Sequence, residues 1–296
     1  MPSNDDSPVR FGTATDPGGR RSVNEDAVLA QRPVFCVADG MGGHSRGDMA
    51  SAKVVGAFAE LADRVGRSGS TAISPESVQA TIGLAQQRIR DALGLGGPEE
   101  AGNLTAGSTL AGVVLRQEHD RWGWLAFNVG DSRIYRLCDG ALHQISEDHS
   151  VVQSLLDAGE IDEAQARVHP LRNLITRTVG SGGDTQADFW LLTASPGERL
   201  LLCSDGLTEE LDDDAIAALL SVPEPPEQVA ASLIARATEG GASDNVSAVV
   251  IDVLANAAPR MDASLPVGEY HPVDMMPDDT VPREQPRDHQ PQHTSS

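Results

Sequence analysis

Apolar residues recur along this chain in two rhythms. Short, β-branched runs occupy Pro33–Ala38, Thr109–Arg116, Gly123–Val129, Arg133–Leu137, Arg199–Cys203 and Val246–Val253. Each is of strand length and is predicted to form one. Two longer segments repeat apolar positions every three or four residues. In Arg46–Val65 these are Val54, Phe58, Leu61 and Val65; in Pro75–Leu93 they are Val78, Ile82, Ala85, Ile89 and Leu93. Both predict amphipathic helices, the second started by Ser74 and Pro75. Further helices are expected over Asp212–Leu220, whose opening Asp212, Asp213 and Asp214 complement a helix dipole, and over Pro226–Glu239.

The order is strand, two helices, several strands, short helices, then more strands. Regular βα alternation is excluded, and an antiparallel sheet system flanked by helices fits. Asp148–Gly183 is the least regular stretch. It reads as a short helix, a turn and a loop, of a length typical of a lid or substrate-recognition flap. Beyond about Ala257 the chain is rich in Pro, Asp, Gln and His without periodicity. The expected organisation is a disordered segment over 1–8, one domain over 9–255 and a disordered, acidic, Pro-rich tail over 256–296. The tail histidines His271, His289 and His293 are read as solvated.

Composition narrows the function. Of 296 residues 40% are hydrophobic, enough for a sizeable core, but only 3% are aromatic, so aliphatics and alanine must fill it. Lys+Arg of 22 against Asp+Glu of 44 gives 22 − 44 = −22. Such a chain is repelled by nucleic acids and anionic membranes and suits cations. Cys36, Cys138 and Cys203 lie in apolar runs without a C-x-x-C pair, so they read as small core residues in a reducing compartment. No apolar stretch reaches spanning length, and the N-terminus lacks a signal-peptide core; a cytoplasmic location and a monomer are expected.

Four aspartates share a placement. Asp39 ends the run VFCVA, Asp131 ends WLAFNVG, Asp205 ends RLLLCS, and Asp244 precedes VSAVVIDV. One such residue is ordinarily a turn or cap. Four at strand ends would repel unless a cation joined them, and Mg²⁺ or Mn²⁺ prefers such oxygen ligands. In Asp39-Gly40-Met41-Gly42-Gly43-His44, Gly40 permits close backbone approach, and Gly42 and Gly43 permit a tight turn into the helix at Arg46. The loop has neither the P-loop nor the dinucleotide-binding pattern. Arg21, four residues before Glu25-Asp26, reads either as a surface salt bridge or as a bidentate phosphate contact.

Taken in order, RSVNED, VADGMGGH, GSTL (Gly107–Leu110), NVGDSRIYRL, CSDGLTEEL and SDNVSAVVI resemble the PPM family of metal-dependent protein serine/threonine phosphatases in its bacterial form, from about Phe11 to Leu254. The resemblance implies an α+β fold, a four-layer α/β/β/α sandwich of two antiparallel sheets flanked by helix pairs. It implies two divalent cations, Mn²⁺ or Mg²⁺. Asp39 would bridge them, the Gly40 carbonyl would bind one, and Asp205 and Asp244 would complete the other. Asp131 would hold a third ion. Glu25 and Asp26 would act on metal-bound waters, and Asn245 would steady them.

The implied reaction is hydrolysis of phosphoserine and phosphothreonine by a metal-bridging hydroxide. Arg21 would offset phosphoryl charge, and His44 is the candidate general acid. The implied partners are phosphorylated proteins and a bacterial Ser/Thr kinase whose action is reversed. Arg133 reads as pairing with acidic neighbours, and His149 and His169 as surface or capping residues. Two other readings stand beside this one: a phosphatase of a small phosphorylated metabolite on the same metal centre, and a non-catalytic regulatory module that keeps the fold.

Overall fold

The apolar runs form strands that are apolar on both faces, because each sheet lies between a second sheet and a layer of helices. The structure, a computed structural model, describes residues 7–42, 46–68, 73–95, 106–118, 121–180 and 185–257. The strands are β1 (Val9–Asp16), β2 (Asp26–Gln31), β3 (Val34–Gly42), β4 (Ala106–Ser108), β5 (Leu110–Glu118), β6 (Arg121–Val129), β7 (Arg133–Cys138), β8 (Ala141–Gln144), β9 (Asp188–Thr193), β10 (Arg199–Cys203) and β11 (Val246–Val253). One sheet has the order β1-β11-β10-β7-β8, the other β2-β3-β5-β6-β9, with β4 added to the end of β3. All pairings are antiparallel.

Side chains alternate across each central strand as the pleat requires. Phe35 and Val37 of β3, Trp124 and Ala126 of β6, Leu200 and Leu202 of β10, and Val249 and Ile251 of β11 fill the space between the sheets. The intervening Cys36 and Ala38, and Leu125 and Phe127, face helices α1 (Gly47–Ser68) and α2 (Pro75–Ala92). On the far side Leu201, Cys203, Ala248 and Val250 face α5 (Asp205–Glu210), α6 (Asp213–Leu220) and α7 (Pro226–Glu239). The result is the α/β/β/α sandwich. Each fully buried Leu, Ile or Phe contributes about 1.5–3 kcal/mol over leaving it exposed. Between the sheets, buried Glu198 is satisfied by Arg136 and by the Trp124 indole N–H at 3.0 Å.

Helix ends follow local chemistry. Ser74 caps α2 and Asp212 caps α6, its carboxylate accepting from the Ala215 N–H at 2.9 Å. The acidic run at 212–214 is therefore a helix start, as its charge pattern indicated. The flap carries two short helices, α3 (Val151–Asp157) and α4 (Glu163–Arg167), where one was expected; Asp162 builds a capping box for the second. Its roots are fastened by bridges Ser150↔Ile175 and Ser108↔Val179. Cys36 and Cys203 are core residues as expected, but Cys138, at the end of β7, is only partly buried. β3 runs through Gly42, whose φ of 156° is positive, as expected of it. Expectations for 1–6, Gly43, His44 and the segment from 258 onward fall outside the described residues.

Gly112 of β5 lies opposite Phe127 of β6, whose ring stacks on Phe58 of α1 at a centroid distance of 5.2 Å. A Cβ at Gly112 would stand 2.2 Å from the ring's Cζ. We expect Gly112→Ala to cost about 1–3 kcal/mol through overpacking. That lowers the Tm by roughly 2–4 °C per kcal/mol in a domain of this size. Phe127→Leu in the Gly112→Ala background should recover part of the loss. An unchanged Tm in Gly112→Ala would show that the ring does not press on this position.

Candidate metal centre

Strand register brings the carboxylates together. Asp39, on β3, pairs directly with Asp26, on β2. At Asp39 strand β3 changes partner from β5 to β4, and Thr109 bridges the break. The Asp39 N–H donates to Thr109 Oγ1 at 2.9 Å, and the Thr109 N–H donates to the Asp39 carbonyl at 2.8 Å. From the other sheet, β10 delivers Asp205 as the first residue of α5. The preceding Ser204 donates its hydroxyl to Asp26 Oδ2 at 2.8 Å, so the two sheets touch through this pair. Asp131 sits in the turn between β6 and β7, and Asp244 just ahead of β11.

The loop before β2 is held by one side chain. Asn245 accepts from the Glu25 N–H at 2.8 Å and donates to the carbonyls of Pro17 and Val23. Glu25 in turn accepts the Gly40 N–H at its carbonyl and the Gly47 N–H at Oε1. A Cβ at Gly40 would lie 2.0 Å from the Gly47 carbonyl oxygen, so only glycine fits. Arg21 donates to Asp244 Oδ2 at 2.7 Å while remaining half exposed.

The electrostatics are those of buried acids crowded together. Asp26, Asp39 and Asp205 keep some surface as whole residues, but their carboxyl groups lie deep. Oδ1 of Asp26, Asp131 and Asp205 are buried without a hydrogen-bond partner. Burial pushes the Asp26 and Asp205 carboxyls up to about 6. Burial, with charge from Asp26 and Asp205, holds Asp39 well above the usual carboxylate range; burial, with charge from Asp205 and Asp148, does the same to Asp131. Among the described residues the acids and histidines do not close into a compact cage of three or more ligands. The donors gathered here are carboxylates, the oxygen ligands that Mg²⁺ and Mn²⁺ prefer. A cleft of about 730 Å³ opens onto Asp131 and Asp205 between the flap and α5–α6.

The structure thus gathers Asp26, Asp39, Asp131, Asp205 and Asp244, with Arg21 beside Asp244 and Glu25 on the adjoining loop. His44 is outside the described residues. Arg133 is structural, as read from sequence: it binds Asp148 through Nε and Nη2 and the Tyr135 hydroxyl through Nη1. The reading of His149 as a surface or capping residue is corrected, since it is 6% exposed. Its Nδ1 accepts from the Gly130 N–H at 3.1 Å, and its own N–H donates to the Gly130 carbonyl at 3.0 Å. Nε2 lies 3.0 Å from both Asp188 Oδ2 and Arg177 Nη1; with Nδ1 accepting, the ring proton is placed on Nε2 and given to Asp188. Arg177 binds the other Asp188 oxygen at 2.7 Å. His149 thereby holds the residue before Asp131 and ties the flap root to β9. Nothing in the sequence pairs it with an aspartate 39 residues away. His169 accepts the Leu171 N–H within its own turn, the local capping role expected of it.

The family description for protein phosphatase 2C matches residues 19–239. The chain belongs to the protein phosphatase 2C family. It is 36% identical over 246 residues to the serine/threonine protein phosphatase PstP of Mycobacterium tuberculosis, covering 83% of this chain and 45% of that protein. The chain thus spans less than half the length of PstP. It is 31% identical over 243 residues to the serine/threonine phosphatase stp of Listeria monocytogenes, covering 80% of this chain and 93% of that one. A crystal structure of the M. tuberculosis phosphatase PstP/Ppp superposes with a TM-score of 0.72 at 35% identity, covering 83% and 99% of the two chains. A structure of the PstP catalytic domain in complex with two manganese ions gives a TM-score of 0.68 at 32% identity, covering 83% and 98%. The layers and sheet system found here are those of this phosphatase 2C fold.

The clustered aspartates and His149 can each be tested by stability. Without metal, the folded carboxyls bind protons more tightly than the unfolded ones, whose pKa is about 3.9. Their contribution to stability is complete below about 4 and is lost as pH rises through about 6. In EDTA, Asp205→Asn should therefore have a higher Tm than the parent near pH 7.5, an advantage that shrinks as the pH falls below about 6 and is lost only near about pH 4. Mn²⁺ should reverse the order at pH 7.5 by raising the parent alone; an advantage in EDTA that does not vary with pH contradicts the assignment.

Urea unfolding should show His149→Ala losing about 1–3 kcal/mol by orphaning the Gly130 N–H. His149→Asn, whose Oδ1 replaces the Nδ1 acceptor, should lose less. Equal losses would remove the Gly130 bond as the anchor.

Proposed function

We propose that this chain hydrolyses phosphate monoesters on serine and threonine side chains of proteins, using divalent cations held by the aspartates described above. The observation that carries this reading is the convergence of partnerless buried carboxylate oxygens from both sheets beside an open cleft. Asp39 would be shared by two ions, with the Gly40 carbonyl toward one and Asp205 and Asp244 toward the other. Asp131 would serve a third. Glu25 and Asp26, fixed by Gly47, Asn245 and Ser204, would orient waters around them. The two manganese ions of the PstP catalytic domain support the same metal class here.

Bound divalent cations supply an acidified water as nucleophile and offset phosphoryl charge. Arg21 is anchored to Asp244 by one Nη atom and is half exposed; among the described residues its other donors have no partner, so they can receive phosphoryl oxygens as the ester enters. Gly40 and Asn245 hold the loops at fixed spacing, so little ordering is left to be done when substrate arrives. His44 is the proposed donor of the proton to the departing serine or threonine oxygen.

The catalytic unit is proposed to span 9–255 and to act as a monomer in the cytoplasm. No helix among the described residues is long and apolar enough to cross a membrane. The names of the relatives support phosphorylated proteins as substrates; a Ser/Thr kinase is the proposed opposing activity.

With p-nitrophenyl phosphate, turnover should appear with Mn²⁺ or Mg²⁺ and vanish in EDTA. Asp39→Asn and Asp205→Asn should each lower kcat by about 100-fold or more, at or beyond the upper end of what losing a partner of a metal ligand costs. Phosphopeptides should be turned over in preference to nucleotide or sugar phosphates. Activity that survives EDTA and both substitutions would sink the metal-centred reading, and a preference for the small phosphates would redirect it to metabolites.

A further inference from the structure

The cleft beside the carboxylates has a charge of its own. Away from the metal centre it is lined by Glu163 of α4, by Glu209 and Glu210 of α5 and by Asp212 at the cap of α6. All four are exposed. Among the described residues Glu163, Glu209 and Glu210 form no ion pair. The facing cations are few. Arg133 is committed to Asp148, which leaves Arg167 and Arg172 on the flap side.

Asp131, 8% exposed and with Oδ1 lacking a partner, lines the same cleft. The flap adds a second kind of surface. Val168, Leu171 and Leu174 are 77%, 46% and 51% exposed, interleaved with the two arginines. Exposed aliphatics grouped on one short segment mark a binding surface more often than scattered ones do.

We propose that this cleft binds the polypeptide on either side of the phosphorylated residue and selects segments carrying lysine or arginine there, with an aliphatic residue against the flap. The phosphate itself is left to the metal centre and Arg21. The flanking side chains meet Glu163, Glu209, Glu210 and Asp212, so charge complementarity fixes the sign of the preferred neighbours. The inference rests on the phosphatase reading and narrows its substrate class. A free metabolite phosphate has no flanking groups to reach these acids.

The test uses the full chain with Mn²⁺ and two phosphothreonine peptides differing only in arginine or glutamate at the flanking positions. At low salt kcat/KM should favour the arginine peptide about tenfold, the order expected from a few rim charges. The preference should shrink toward unity near 0.5 M salt, where the Debye length is only about 4 Å. It should also be lost in the triple variant Glu163→Gln, Glu209→Gln, Glu210→Gln, with p-nitrophenyl phosphate turnover unchanged.

Equal rates for the two peptides, a glutamate preference, or a preference that survives the triple variant would each overturn the proposal. Fluorescence anisotropy with the same peptides bearing a nonhydrolysable phosphonate measures the preference directly. It decides the question even if p-nitrophenyl phosphate is not hydrolysed, which would count against the phosphatase reading alone.

Discussion

Mutual repulsion among buried carboxylates is the constraint on which the rest of this structure turns. Two unit charges about 4 Å apart repel by about 4 kcal/mol at the effective dielectric of a protein surface. A whole domain is stable by only about 5–15 kcal/mol. Asp26, Asp39, Asp131 and Asp205 can stay together only by retaining protons or by sharing cations. Everything around them resists separation: the Asp26–Asp39 register, the Thr109 bridge at the strand switch, and the Ser204 hydroxyl reaching across from the opposite sheet. The fold holds these groups where they are costly, as is common at functional sites.

How far the sequence disclosed this depends on burial. The six strands read from apolar runs are β3, β5, β6, β7, β10 and β11, every one with a neighbour on each side in its sheet. The strands that went unread are the edges β1, β8, β2 and β9, together with the three-residue β4. An edge strand keeps a face or a rim in water and carries polar residues, so its pattern sinks into the surrounding loops. The central strands, apolar on both faces, gave continuous runs without a period of two. Their existence was therefore legible from the runs themselves, while their antiparallel direction came only from the order of elements and their layering only from the family resemblance.

The site was legible for a related reason. Aspartate at the end of an apolar run is visible as an abrupt change of polarity, and four repeats of it stand out. The partners that position those aspartates gave no such sign. Thr109 and Ser204 are ordinary hydroxyl residues in sequence, and the His149–Asp188–Arg177 group is assembled from the flap and a sheet edge. Long-range pairs of this kind arise only from topology. The same holds for the cleft, whose acids come from α4, α5 and the cap of α6 and share a wall only once the flap is folded back.

The contact between the sheets carries a further consequence. Asp26 and Asp39 belong to one sheet, Asp205 and Asp244 to the other, and the proposed ions would sit on the seam. A ligand that bridges two halves of a fold adds RT ln(1 + [L]/Kd) to its stability, about 2.7 kcal/mol at a hundredfold excess over Kd. The occupancy of the seam would then govern how often the chain opens to proteases as well as how fast it turns over substrate. In a cell starved of manganese and magnesium such a protein would decline in amount, so the proposed activity would be lost with the molecule rather than held idle in a folded one.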